Sequence, residues 1–149
     1  MKLPDVNLLL YSVNERSPNH ELAGRWLSSA FGDVEGVGFA WIVLVGFVRL
    51  STRNNVMPTP LALADALALV DGWLRHPRAQ IVNPGDRQPD IFARLLLTVG
   101  TGGNLTNDAH LAAIAIEHKG TVATFDKDFK KFPGLSLELL RSPSVTPQL

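Results

Sequence analysis

The chain contains no cysteine. That excludes a disulfide framework and any zinc site built on thiolates, and it suits a reducing cytosol. An excess of either charge is missing too: 14 basic and 14 acidic residues give a formal net charge of +0. No global positive field marks a nucleic-acid binder. Neutrality can still conceal a local pairing, because acids held together by a cation would leave the remaining surface basic. Long apolar runs are absent as well. Phe39–Val45 (FAWIVLV), continued by Gly46-Phe47-Val48, is far shorter than the roughly 18–20 residues of a membrane span. The opening Met1-Lys2-Leu3-Pro4-Asp5 carries an early acid and lacks the apolar stretch and small-residue cleavage site of a signal peptide. A soluble, cytoplasmic protein is expected.

What is present is enough for one core. The 149 residues are 46% hydrophobic, which favours a single self-folding domain. No repeat, linker or low-complexity block divides it. The domain is expected over 1–141, with a loose Pro-rich tail over 142–149.

Periodicity and punctuation place the elements. Met1–Pro4 reads as a very short strand, and Val6–Asn14 as a helix capped by Asp5 or Asn7. Ser17-Pro18 signals a helix start, with Gly32 as its stop. Short strands are expected at Glu35–Phe39, Gln80–Val82, Thr121–Phe125 and Leu135–Leu137. The run Trp41–Arg53 is apolar all round, and its length favours helix over strand. Leu61–Leu74, Asp90–Val99 and Thr106–His118 read as helices, the last closed by Gly120. Phe129–Phe132 adds one helical turn. Helices alternating with short strands define an α/β class with a mostly parallel sheet.

Ligands of such sheets bind outside the carboxyl ends of the strands. Asp5 follows the first strand, Asp126 follows the Thr121–Phe125 strand with Asp128 two residues on, and Asp108 lies in the first turn of the 106–118 helix. Each has an ordinary explanation as a helix cap, a partner of the helix dipole or a solvated turn. Together they have another. Converging carboxylates repel and need protons or a cation, and oxygen ligands without cysteine suit Mg2+ or Mn2+. An ion so held suits phosphodiester hydrolysis by an activated water. The four histidines are not spaced as a metal set, and a surface or packing role is expected for each. Arg49, Arg53, Lys127, Lys130 and Lys131 are candidate phosphate contacts. Trp26, Trp41 and Trp73 lie in apolar runs and are expected to be buried in the core or an interface.

Four segments in order, LPDVNLLLYSVNE, GFVRLSTR, NLTNDAHLAAIAIEH and TVATFDKDFKKFPGL, resemble the PIN-domain family, in particular VapC-type toxins of the mycobacterial branch. The resemblance covers nearly the whole chain. It implies a PIN-like α/β/α sandwich and a Mg2+- or Mn2+-dependent endoribonuclease. It also implies a VapB-type antitoxin as partner and a homodimer. Carried over by position, Asp5, Asp108 and Asp126 match family acids, Asp128 an additional acid, Thr124 a small hydroxyl residue, Asn7 a polar position and Arg49 the arginine of the central motif. The family's second acid is missing. Alignment on Gly46-Phe47-Val48-Arg49 sets Leu44 there, and Leu44 cannot bind a metal. Glu117 is a poor replacement: nine residues beyond Asp108, it falls on the opposite face of the same helix. A catalytically weak or inactive PIN-like module that binds RNA or protein is therefore the alternative reading. A haloacid-dehalogenase-type phosphotransferase fits the spelling Asp126-Lys127-Asp128, but the chain after Asp128 is too short for its downstream motifs.

Overall fold

The first strand, β1 (Lys2–Pro4), is three residues long and ends where Asp5 starts helix α1 (Val6–Val13). In the computed structural model, residues 1–143 are described. From residue 144 on, the expected tail lies outside them. After α1 come α2 (His20–Gly32), β2 (Val37–Ala40), α3 (Trp41–Ser51), α4 (Leu63–Arg75), β3 (Ala79–Val82), α5 (Gln88–Val99), α6 (Thr106–Glu117), β4 (Thr121–Thr124) and β5 (Ser136–Leu139). Two 3-10 turns, Gly103–Leu105 and Lys127–Lys131, lead into α6 and out of β4.

The sheet has five strands in the order β3-β2-β1-β4-β5. Every pairing is parallel, so the expected "mostly parallel" becomes fully parallel among the described residues. Helices cover both faces, which is why β2 is buried at every position and reads as a continuous apolar run. The core runs from Leu3 to Leu140 and takes in Phe39, Phe47, Leu111, Ile114, Val122 and Phe129. Strand order reverses at β1: the chain builds outward to β2 and β3, then returns to lay β4 on the other side of β1. The β1–β4 seam is thus the topological switch point, where the connections diverge and open a crevice.

Several local expectations shift. Helix α2 begins at His20 rather than at Ser17-Pro18, because Ser17 is used in a turn whose hydroxyl accepts from the Asn19 N–H at 3.1 Å. β2 begins two residues later than expected, since Gly36 turns the chain at φ 73°. The α6 stop is divided between two residues: Lys119 takes the left-handed conformation at φ 55°. Gly120 is required for closeness instead, as a Cβ there would sit 2.6 Å from Leu3 Cδ1. Trp26 is buried and Trp73 stacks on Phe39 at 6.0 Å, but Trp41 is 55% exposed, which excludes the core from its two expected places. No helix among the described residues is long and apolar enough to cross a membrane.

Candidate active site

The seam places Asp5 and Thr124 side by side. Register pairs Pro4 with Ala123, and the Asp5 N–H donates to the Ala123 carbonyl at 2.9 Å. One residue further along each strand, the Thr124 hydroxyl donates to Asp5 Oδ2 at 2.7 Å. Asp5 Oδ1 accepts from the Val6 N–H at 2.8 Å, which makes Asp5 the α1 cap as well as the most buried acid of the group. Asn7 reaches back from the first turn of α1. Its amide donates to Asp5 Oδ2 at 3.3 Å and to Thr124 Oγ1 at 3.2 Å, and its carbonyl accepts from the Phe125 N–H at 3.3 Å. Thr124 Oγ1 also accepts the Asp126 N–H at 3.0 Å. Asp126 Oδ1 accepts the Asp128 N–H at 2.9 Å and so caps the following 3-10 turn. The cap expected of Asp5 and the turn expected at Asp126 therefore exist, and Asp5 and Asp126 are linked through Thr124 at the same seam.

The acids act on one another electrostatically. Burial first, and then the charges of Asp5, Asp126 and Asp128 in that order, together push the Asp108 carboxyl up from 3.8 to about 7. Asp5 is also raised, first by burial and to a smaller degree by Asp126, against the lowering effect of its Thr124 and Val6 hydrogen bonds. Asp108 thus feels the charges of all three other acids across the crevice. Lys131 forms an ion pair with Asp128 at 3.3 Å. Among the described residues, no three Asp, Glu or His side chains are already gathered into an ion cage. The carboxylates share a field while keeping separate hydrogen-bond anchors.

A cleft of about 390 Å³ opens over Asp5 and Asp108. Its far wall is α3, through Ile42, Val43, Val45, Gly46, Arg49 and Leu50, and its rim carries Asn104 and Asn107. Leu44 does not line it: the side chain is 1% exposed and belongs to the core. Gly46 is among the α3 residues that border it, and an added Cβ there would meet Val6 at an ordinary 3.4 Å. Leu44, where the resemblance sets the missing acid, thus lies in the core, and the α3 residues that border the cleft include no acid. Arg49, one turn on from Gly46, stands in the cleft as expected, whereas Arg53 is exposed and lines neither this cleft nor the groove beside Asp126. Lys127 and Lys130 lie along that second groove. Asn104 and Asn107 were not singled out from sequence, although they occupy the same short segment as Asp108; the helical offset of Asn107 was the available signal. The histidines have packing roles. His20 and His118 bond the Tyr11 and Asn83 carbonyls at 2.9 and 2.8 Å, His76 lies 4.5 Å from the Phe31 ring, and burial lowers His110 beside Gln88.

A parallel α/β sandwich with aspartates at its switch point defines a class, and the chain matches the PIN domain over residues 2–135. It belongs to the PIN-domain family. Within that family its relatives are VapC ribonucleases: it is 48% identical to "Ribonuclease VapC37" of Mycobacterium tuberculosis over 135 residues, covering 91% of this chain and 94% of that protein. It is 38% identical to "Ribonuclease VapC33" of the same species, with the same coverage. Among solved structures, VapBC2 from Rickettsia felis, bound to a DNA fragment from its promoter, aligns at TM-score 0.66 and 21% identity, over 93% of this chain and 98% of that one. FitAB bound to the IR36 DNA fragment aligns at 0.64 and 20% identity, over 93% and 94%. At that identity these two structures speak to the fold alone.

Proposed function

We propose that the protein is the toxin of a type II toxin–antitoxin pair, a Mg2+- or Mn2+-dependent endoribonuclease whose ion is held by Asp5, Asp108, Asp126 and Asp128. The observation that carries this reading is the cleft at the switch point, which Asp5 and Asp108 line together and where Asp126 and Asp128 add to the field that holds the Asp108 carboxyl above its usual range. Such a group is poised to exchange its proton for a cation. The donor set is all oxygen, which fits a hard divalent ion. The relatives named ribonucleases supply the substrate class.

In this reading the chain's own residues orient the site. Thr124 and Asn7 fix Asp5 Oδ2, leaving lone pairs of a two-oxygen carboxylate for the ion. Asp126 keeps Oδ2 while Oδ1 holds the turn that presents Asp128. Arg49, across the cleft, serves the scissile phosphate as a fixed positive charge. The bound ion supplies an acidified water and neutralises charge developing on the phosphate oxygens. The partner is a VapB-type antitoxin, supported by structural neighbours solved as VapBC assemblies. A homodimer is supported by apolar pairs one helical turn apart and half exposed: Trp41 and Val45 on α3, Leu63 and Leu67 on α4.

One observation favours the second reading, a weak or inactive binding module: α3 lines the cleft without contributing an acid. Purified protein incubated with a panel of structured RNAs plus Mn2+ or Mg2+, beside EDTA and Asp5→Asn controls, separates the two. Cutting that requires metal and disappears in Asp5→Asn supports the nuclease. RNA retention without any cutting supports the module.

A further inference from the structure

The cations that sequence alone grouped together separate in space. Arg49 stands in the cleft over Asp5 and Asp108, and Lys131 is paired with Asp128 at 3.3 Å. Lys127 and Lys130 go elsewhere. They line a second groove, of about 510 Å³, that begins at Asp126 and is bordered by Phe125, Leu139 and Leu140. Arg141 joins them there from just beyond β5, a residue that no sequence motif marked. The convergence has a local cause. Lys127 and Lys130 are three apart in a 3-10 turn, whose three-residue repeat stacks them on one side. β5 is the neighbour of β4, and the Leu140 N–H donates to the Thr124 carbonyl at 2.8 Å, which brings Arg141 alongside. All three cations are exposed, and among the described residues none is ion-paired. Phe125, at the head of the groove, is held by edge-to-face packing on Tyr11 at 5.0 Å.

We propose that this groove seats the single-stranded RNA segment flanking the cleaved bond. Lys127, Lys130 and Arg141 take its phosphates, and Phe125 takes a base. The inference rests on the nuclease reading and extends it by giving the substrate a direction: the strand enters beside Arg49, crosses the aspartates and leaves over the 3-10 turn. Cations without acidic partners beside an aromatic ring suit a sugar-phosphate backbone with unstacked bases, whereas duplex RNA would not offer bases to the ring.

The test measures binding with metal removed, so that it does not depend on catalysis. A fluorescein-labelled, mixed-sequence single-stranded RNA of about 20 nucleotides, long enough to exceed a single-strand site, is titrated in EDTA across a salt series. In the triple variant Lys127→Gln/Lys130→Gln/Arg141→Gln, affinity at low salt should fall at least tenfold. The slope of log K against log salt should shrink by about 2, at roughly 0.7 for each phosphate released. Phe125→Leu, which keeps the apolar filling against Tyr11, should weaken binding several-fold with the slope unchanged. Arg94→Gln, on exposed α5 and away from both clefts, should change neither. Wild-type protein that fails to bind this RNA, or a triple variant with unchanged affinity and slope, overturns the proposal. So does a triple variant that loses affinity for a poly-glutamate peptide but not for RNA, which would assign the groove to a protein segment. Asp5→Asn is read separately. If it stops cleavage while the triple variant cuts with an unchanged KM, the nuclease stands and the groove falls. If the triple variant alone loses RNA binding and nothing cuts, the groove stands and the nuclease falls.

Discussion

Glu138 and Asp108 are both partly buried acids near the central sheet, and they live in opposite surroundings. Glu138, in β5, accepts from Lys2 Nζ at 3.1 and 3.4 Å and from Trp26 Nε1 at 3.1 and 2.8 Å. Glu117, at the end of α6, accepts backbone N–H groups of Gly85 and Arg87, both at 2.8 Å. These acids are matched to donors and fasten elements together: Glu138 joins β1, α2 and β5, and Glu117 pins the loop before α5. Asp108 instead faces three acids. A fold gains nothing for its own stability by gathering like charges in a crevice. The contrast separates carboxylates matched to donors from Asp108, whose surroundings add negative charge.

The largest expected effect breaks the comparison in both directions. Asp126→Asn should cut metal-dependent RNA cleavage at least about a hundredfold without lowering the melting temperature. Glu138→Ala should leave cleavage nearly unchanged while costing about 1–3 kcal/mol in chemical denaturation, because the buried Trp26 N–H loses its acceptor. A Glu138 variant that loses activity with its stability intact would erase the distinction. Next comes the α3 wall. Leu44→Glu puts an unpaired charge into the core and should destabilise by several kcal/mol. Gly46→Glu should fold normally, gain helix propensity, and bind Mn2+ more tightly than the parent protein in a direct titration. If the two outcomes are exchanged, the assignment of the cleft-facing position is wrong.

A smaller effect concerns pH. A carboxyl raised in the folded state holds its proton more tightly folded than unfolded. Its contribution to stability is complete below 3.8 and is lost as pH rises through about 7. Thermal unfolding in EDTA should therefore show stability declining over that window. Asp108→Asn should flatten the decline, and saturating Mn2+ should reverse it. A decline of the same steepness in Asp108→Asn would show that the acid cluster is not its source.

Much of this was legible in the sequence for physical reasons. Long helices announced themselves by composition, as in the Ala- and Leu-rich α4, and the acids of the seam by their place just after apolar strand residues. Boundaries were less legible where a turn captured the signal, as Ser17 does before α2. Facing was least legible in α3, which is apolar all round. Periodicity cannot tell Leu44 from Gly46 there, and packing against Val6 and the core decides it. Arg141 could not be read at all, because only the β4–β5 pairing brings it beside Lys127 and Lys130.

The shared-ion site is tested most directly by calorimetric titration of Mn2+ at pH 6, repeated in two buffers of different ionisation enthalpy. Release of about one proton for each ion bound is expected, supplied by Asp108 and missing in Asp108→Asn. Binding without proton release in the wild-type protein, or no binding, would contradict it.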